Sequence, residues 1–348
     1  MMVGKTLLVG HLDGPLNLRL RTAGLLTGAG LAAACLLLAA LSLQAGALEL
    51  SMHEVIAALH GKGAHRTVIV VMHWRLPRVL MALVIGAALG MSGAIFQSLI
   101  RNPLGSPDIV GFNTGAYSGV LITIVLLNGG HHAIAAGALI GGLAAAALVY
   151  LLAWRQGLHG FRLIIVGIAV SAMLGAFNTW LMISASLASA MTAALWGAGT
   201  LNGITWDKSL PSILLCLLAM PLALVQSRRM RLLEMGDDVA RALGIPAERT
   251  RLTLMGLGVA LTAATTAAAG PISFIALAAP QIAQRLCRNH TTLLLCSAWM
   301  GALLLLAADY CAQHLFAPRQ VPVGVVTVSI GGIYLIWLLL RQARPQLK

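Results

Sequence analysis

Uncharged apolar runs follow one another along almost the whole chain. A helix needs about 20 mainly apolar residues to cross the hydrocarbon core of a bilayer, and most of these runs approach that length. Turn-forming residues divide two longer runs, at residues 128–132 and 270–271. The pattern therefore predicts ten membrane-spanning helices, at residues 24–46, 79–100, 112–127, 133–153, 163–184, 209–226, 252–269, 271–286, 291–310 and 322–340.

The composition supports a membrane protein and excludes a soluble globular one. Of the 348 residues, 59% are hydrophobic and 9% are charged, whereas about 25% are charged in an ordinary soluble domain. The ten predicted spans leave room for loops and short ends but not for a large soluble domain. We therefore expect an all-α, polytopic membrane protein that forms a single domain over residues 1–348.

The distribution of basic residues predicts the orientation in the membrane. The chain carries 23 Lys and Arg against 10 Asp and Glu, an excess that would suggest nucleic-acid binding in a soluble protein. In membrane proteins, basic residues concentrate on the cytoplasmic side. With both termini cytoplasmic, 17 of the 23 basic residues lie inside, so we expect that orientation and no nucleic-acid partner. The six outer ones are Lys62, Arg66, Arg75, Arg78, Lys208 and Arg319.

Two pairs of glycines are spaced for close helix packing, Gly86 with Gly90 and Gly137 with Gly141. Small residues four apart let two helix backbones approach each other where lipid supplies no hydrophobic driving force. Such pairs occur both at dimer interfaces and inside one subunit. We favour packing within the subunit.

Enzymatic and metal chemistry find little support in the sequence. Ser92 lies in a Gly-Met-Ser-Gly stretch that matches intramembrane serine proteases, but a serine nucleophile needs a base within hydrogen-bond reach. All ten histidines fall in loops, at chain ends or at the edges of spans. The outer histidines match no compact set of metal ligands, and the five cysteines lie in or beside apolar runs. We expect no catalytic residue, no bound metal and no disulfide.

The chain also lacks an energy source of its own. Asp309 is the only carboxylate within a predicted span, whereas ion-coupled carriers usually need ionisable residues near the midplane. The phosphate-binding loop of ATPases is also absent, because Gly4-Lys5-Thr6 has no glycine upstream. A partner ATPase is therefore favoured, with a stand-alone secondary transporter as the alternative.

The richest polar segment is the inner loop at residues 228–251. Asp237 or Asp238 can cap the N-terminus of a short helix, Gly244 suits the left-handed position that ends it, and Pro246 prevents its continuation. A helix of about seven residues is roughly 10 Å long, too short to cross a membrane. It fits either an ordinary charged connector or a segment that docks in a groove of a cytoplasmic partner.

Four stretches resemble the FecCD-type permease family, the membrane subunits of ATP-binding-cassette (ABC) importers for iron-siderophores, haem and cobalamin. They are WRLPRVLMALVIGAALGMSGAIFQSLIRNPLGSPDIVGFNTGA (74–116), LLEMGDDVARALGI (232–245), GPISFIALAAPQIAQRL (270–286) and VPVGVVTVSIGGIYLIWLLL (321–340). The resemblance implies the type II permease fold of the bacterial inner membrane, with ten helices. It implies as partners a paralogous second permease subunit, two cytoplasmic ATPases that hold ATP and Mg, and a periplasmic siderophore-binding protein. No cofactor is expected on this chain.

The resemblance also assigns three sets of residues. Asp238-Val239-Ala240 followed by Gly244 is similar to the family's pattern for the coupling helix that docks on the ATPase. The implied coupling set is Asp237, Asp238, Ala240, Arg241 and Gly244; the set that docks the binding protein is Arg75, Arg78 and Arg319; the cytoplasmic gate contains Asn102 and Leu104.

The sequence differs from the family pattern at two positions, and part of it indicates the cargo. Gln313 stands where many members have a third docking arginine, and Gln281 stands where many have a histidine. Three stretches resemble in sequence the branch of the family that imports ferric enterobactin: FRLIIVGI (161–168), AFNTWL (176–181) and RRMRLLEMGDD (228–238). That cargo is therefore expected, with another siderophore, haem or cobalamin as alternatives.

Overall fold

The computed structural model describes residues 6–9, 18–46, 48–154, 160–287, 294–315 and 319–342. Two short antiparallel strands, β1 (Thr6–Val9) and β2 (Leu18–Arg21), precede the helices, with Thr6 opposite Arg21. The helices in these described ranges are α1 (Thr22–Gln44), α2 (Met52–Leu59), α3 (His65–Ile69), α4 (Leu76–Ile100), α5 (Phe112–Leu121), α6 (His131–Ala153), α7 (Gly160–Ser184), α8 (Leu187–Gly197), α9 (Trp206–Val225), α10 (Ser227–Glu234), α11 (Asp237–Ala242), α12 (Ala247–Ala269), α13 (Ile275–Leu286), α14 (Leu294–His314) and α15 (Val323–Gln342).

Three shorter helical segments connect or extend these elements. The π-helical segment Val70–Arg75 joins α3 to α4, so that a continuous helix runs over His65–Ile100. A second π-helical segment, Ile122–Leu126, extends α5. A 3₁₀ turn, Pro107–Val110, lies between α4 and α5.

The helical prediction is confirmed, but the count of ten spans is not. Among the described residues, seven helices are long and apolar enough to cross a membrane, and each covers one predicted span. The predicted spans 112–127, 271–286 and 322–340 correspond to shorter apolar or broken helices, and α13 has only 12 residues. The seven are Leu26–Gln44, His65–Ile100, His132–Ala153, Gly160–Ser184, Trp206–Val225, Ala247–Ala269 and Leu294–His314.

Helix α4 lies at the centre of the packing. It contacts α9, α12, α13 and α14, and most of its residues are buried. Ser92 is fully buried; its hydroxyl donates to the Gly258 carbonyl at 2.8 Å and lies 2.9 Å from the Thr262 hydroxyl, both on α12. Ser92 therefore joins two helices, which agrees with the preference for packing over a protease nucleophile.

Glycines bring α4 and α14 into direct backbone contact. A Cβ atom on Gly86 would overlap the carbonyl oxygen of Gly301, and one on Gly90 would overlap that of Ser297. The second glycine pair is used in the same way, because Gly137 and Gly141 lie against the backbone of α5. The preference for packing within the subunit is thus confirmed for both pairs.

The backbone is interrupted between α12 and α13. Residues 270–274 are not helical, and Gly270 has a φ of 73°, which suits glycine. The break lies beside the apolar core, since Gly93 in α4 packs on the backbone of Ala276 at the start of α13. Backbone groups at membrane depth need partners inside the protein. The Thr200 amide supplies one by donating to the Ala269 carbonyl at 2.7 Å.

A buried ion pair joins the N-terminal end of α4 to the C-terminal part of α14. Arg78 donates from Nε and Nη2 to both carboxylate oxygens of Asp309 at 2.9–3.2 Å. The Arg78 side chain is 14% exposed and that of Asp309 is 1% exposed. Gln313, one turn further along α14, donates from Nε2 to the same carboxylate at 2.8 Å. The carboxylate is thus paired and hydrogen-bonded, as a buried charge requires.

Arg75 binds the C-terminal end of α1. Its Nη1 donates to the carbonyls of Leu43 and Gln44 at 2.7 and 2.9 Å, and its Nη2 donates to that of Leu48 at 2.5 Å. Leu43 and Gln44 are the last residues of α1, whose carbonyls have no partner within the helix. A cation there also interacts favourably with the helix dipole.

We predict that Gly86→Ala destabilises the protein, because the new methyl group would force α4 and α14 apart. Overpacking of this kind typically costs about 1–3 kcal/mol. Gly30→Ala in α1 is the control for the same substitution in a helix, since a Cβ atom on Gly30 meets nothing within 4 Å. Thermal unfolding of the purified proteins tests this, and equal midpoints for the two variants would contradict it.

We also predict that Arg78→Met is strongly destabilising, because it leaves the Asp309 carboxylate buried without its counter-ion. Removing one partner of a buried ion pair costs about 3–5 kcal/mol. Adding Asp309→Asn to Arg78→Met removes the uncompensated charge and recovers most of that loss. Unfolding midpoints of the single and double variants provide the measurement, and a double variant less stable than the single one would refute this explanation.

Candidate functional site

The short helix in the polar segment at residues 228–251 is α11, six residues long. The N-cap prediction is wrong, because Gly236 precedes the helix with a φ of 119° and Asp237 is its first helical residue. The Asp237 carboxylate caps no amide and binds two arginines instead. A carboxylate in the first turn still interacts favourably with the helix dipole.

The end of α11 is as the sequence predicts. Gly244 has a φ of 78°, its amide donates to the Arg241 carbonyl at 2.9 Å, and the Ile245 amide donates to the Ala240 carbonyl at 2.9 Å. These two bonds form a Schellman motif, which satisfies the last carbonyls of a helix and needs a left-handed residue. Gly244 therefore sets where α11 ends and how the chain turns into α12.

Helix α11 has one buried and one exposed side. Ala240 is fully buried in a cluster with Met230 and Leu233 of α10 and Leu254 of α12. The Asp238 side chain is fully exposed and that of Arg241 is 64% exposed; the two approach only to 3.7 Å. Three apolar side chains, Met235, Val239 and Leu243, are also exposed around α11. An apolar patch rimmed by charges on a polar segment is typical of a contact surface for another protein.

Asp237 binds α11 to arginines at the end of α4 and in α12. Its carboxylate accepts from Arg251 Nη2 at 2.7 and 2.8 Å and from Arg101 Nη2 at 2.6 Å. Arg251 also donates to Glu248 at 3.1 Å. Burial raises the pKa of Asp237, but the hydrogen bonds and charges of Arg251 and Arg101 outweigh burial and hold that pKa below its usual value. The carboxylate is therefore ionised at neutral pH.

The predicted gate residues lie in a tight turn after α4. Arg101 ends α4 in a left-handed conformation, with a φ of 54°. The side-chain oxygen of Asn102 accepts from the Leu104 amide at 2.9 Å, which is a local turn that asparagine favours. Gln281 in α13 donates to the Pro103 carbonyl at 2.8 Å, so this departure from the family pattern fixes the turn to α13. The Leu104 side chain is exposed, and the gate role of both residues stays a prediction.

The three predicted docking arginines are in different states. The guanidinium groups of Arg75 and Arg78 bind carbonyls at the end of α1 and the Asp309 carboxylate, respectively. Arg319 lies on the exposed surface. The sequence did not indicate the first two structural roles, and no local spacing signals the pairing of Arg78 with a residue 231 positions away. Their docking role stays a prediction.

Within the described ranges, no group of three or more His, Cys, Asp or Glu side chains is arranged to hold a metal ion. The five cysteines are free thiols. Some charged side chains hold helices together, as Arg78 and Asp237 do. Others, such as Asp238, are exposed on the surface around α11.

Comparisons with known proteins give one consistent result. The sequence profile described as the FecCD transport family matches residues 22–341. The chain is 58% identical over 316 residues to the ferric enterobactin transport system permease protein FepG of Escherichia coli (strain K12), covering 91% of this chain and 96% of that protein. It is 39% identical over 277 residues to the hemin transport system permease protein HmuU of Yersinia pestis, covering 77% and 82%.

A solved structure agrees with these sequence matches. A metal-chelate type ABC transporter in an inward-facing conformation superposes with a TM-score of 0.80 at 27% identity, covering 91% of this chain and 99% of that chain. The profile match, the two relatives and the shared fold each extend over most of the sequence. The chain is therefore a member of the FecCD transport family.

Proposed function

We propose that the chain is the membrane-spanning permease subunit of an ABC importer that moves ferric enterobactin from the periplasm to the cytoplasm. The observation that carries this proposal is the 58% identity to the ferric enterobactin permease over 91% of the chain. The structural likeness to a metal-chelate ABC transporter supports the transport class independently of the cargo.

The proposed membrane topology has ten helices of the type II importer fold in the bacterial inner membrane, with both termini cytoplasmic. Seven long apolar helices and the shorter Phe112–Leu126 and Val323–Ile336 support it, with α13 completing the ten. The excess of basic residues on the proposed inner side supports the orientation. Most of the two terminal segments themselves, at residues 1–5, 10–17 and 343–348, lies outside the described residues.

The proposed complex contains this chain, a paralogous permease subunit, two copies of a cytoplasmic ATPase and a periplasmic siderophore-binding protein. ATP and Mg would be bound by the ATPase, and this subunit would carry out no bond-making chemistry. The exposed apolar and charged side of α11 supports a cytoplasmic protein partner. On the proposed outer side, Arg319 is the exposed member of the set proposed to dock the binding protein. Arg75 and Arg78 would stabilise that surface through their bonds to α1 and to Asp309.

In the proposed mechanism, ATP binding changes the separation of the two coupling helices, and the permease subunits tilt between outward-open and inward-open states. Each state is favoured by the contacts that are better in that state. The turn at Asn102 and Leu104 would open and close the cytoplasmic end. Ferric enterobactin is a large anionic chelate, and a passage with few fixed charges would bind it weakly enough to release it.

Uptake of radiolabelled ferric enterobactin tests the proposal, in cells that lack this chain and in cells complemented with it. We expect complementation to restore uptake and inactivation of the partner ATPase to abolish it. Haem, cobalamin and a second siderophore serve as controls for the cargo. Uptake of enterobactin without this chain would overturn the cargo, and uptake without any ATPase would favour a stand-alone transporter.

We predict that two variants of α11 weaken ATPase association. Gly244→Pro removes both the φ of 78° and the amide that bonds to Arg241, and Asp238→Lys reverses a fully exposed charge. We expect each to reduce co-purification of the ATPase about tenfold, which corresponds to about 1.4 kcal/mol. Asp207→Lys, at an exposed position in the first turn of α9 near the proposed outer surface, is the control. Normal co-purification of both α11 variants would overturn this role.

A further inference from the structure

The two neighbouring aspartates of α11 have opposite surroundings. The Asp238 side chain is fully exposed, and Arg241 on the same helix forms an ion pair with it at 3.7 Å. The Asp237 side chain is 32% exposed and reaches arginines on two other elements. The resemblance places both in one coupling set, but Asp238 is fully exposed to a partner, whereas Asp237 is held by the arginines behind it.

The link from Asp237 to α12 is a two-oxygen contact with a buried arginine. Arg251 Nη2 lies 2.8 Å from Oδ1 and 2.7 Å from Oδ2, and the Arg251 side chain is only 9% exposed. Charge-assisted hydrogen bonds of this kind are stronger than those between neutral groups. Any displacement of the start of α11 therefore acts on the inner end of α12.

The link to α4 runs through Arg101, whose Nη2 donates to Asp237 at 2.6 Å and to the Leu233 carbonyl of α10 at 2.8 Å. Arg101 is the residue at which α4 ends, and the next residue, Asn102, begins the proposed gate turn. The Asn102 amide donates to the Gln97 carbonyl at 3.1 Å, so the turn moves with the end of α4. Asp237 is thus separated from the gate turn by a single side chain.

Helices α4 and α12 are also joined in the interior, where Ser92 bonds to Gly258 and Thr262. The three elements that meet at Asp237 therefore include two of the helices that pack together in the interior. A carboxylate at this junction can pass a movement of α11 to both helices at once, because both arginines hold the same group.

We propose that Asp237 is the positioning residue that connects α11 to α4 and α12, so that movement imposed on α11 by the ATPase reaches the gate turn through Arg101 and the interior through Arg251. This inference rests on the proposed function. It assigns Asp238 and the exposed side of α11 to ATPase contact, and Asp237 to transmission of the movement.

The experiment measures ATP hydrolysed and ferric enterobactin imported by the complete importer in vesicles, with binding protein supplied at the cargo side. In Asp237→Asn, we expect the ATPase to stay bound and to hydrolyse ATP at close to the wild-type rate. Uptake per ATP should fall about tenfold, within the range of typical coupling free energies. Asp207→Asn, the same change in the first turn of α9, should leave the ratio unchanged.

Arg101→Gln provides a second variant that does not alter α11. It should reduce uptake per ATP in the same way, and the double variant should be little worse than either single one, because residues of one interaction are not additive. Asp237→Glu, which keeps the charge, should retain part of the coupling.

An unchanged ratio of uptake to hydrolysis in Asp237→Asn would overturn the inference, as would loss of the ATPase from the complex, since that would make Asp237 an assembly residue. Strict additivity of Asp237→Asn and Arg101→Gln would also overturn it. Absence of ATP-dependent uptake by the wild-type complex is a different result, because it would refute the proposed function itself.

Discussion

The direct backbone contact between α4 and α14 is the interaction on which the other arrangements depend. Glycines at the crossing remove the side chains that would separate the helices, and α4 is consequently surrounded by protein over most of its length. A 25-residue helix extends about 37 Å, close to the thickness of a bilayer with its interfaces. Arg78 near one end of α4 binds Asp309 of α14, and Arg101 at the other end binds Asp237 of α11. One rigid helix therefore connects these two sites.

The same close packing permits a backbone break inside the molecule. Residues 270–274 separate α12 from α13, and a comparable irregular stretch around Gly199 meets them, with Thr200 donating to Ala269 and Gly324 donating to Gly199 at 3.0 Å. In lipid, unpaired backbone groups of this kind would cost several kcal/mol each. Here the interrupted segments hydrogen-bond to neighbouring backbone, so irregular backbone can lie beside the apolar core with these groups paired.

These features also show what the sequence could and could not predict. Apolar length is a local property, and it located the seven long helices correctly. The prediction began the second span at 79, whereas the helix begins at His65, because a helix that continues beyond the apolar run gives no hydropathy signal. The span at 271–286 shortened to α13 because residues 271–274 are not helical, and hydropathy does not distinguish a helix from an irregular apolar segment.

For the site residues too, the sequence predicted local interactions correctly and distant ones incorrectly. Gly244 was predicted correctly because a Schellman motif is decided within six residues. The N-cap at Asp237 was wrong because Arg101, 136 positions away, and Arg251 take its carboxylate, and two charge-assisted partners outweigh one capping bond. A family pattern assigns a role to a segment, whereas the partners of each side chain decide how that role is divided. On α11 the division follows burial, with the exposed aspartate available to a partner and the paired one bound to the helices behind it.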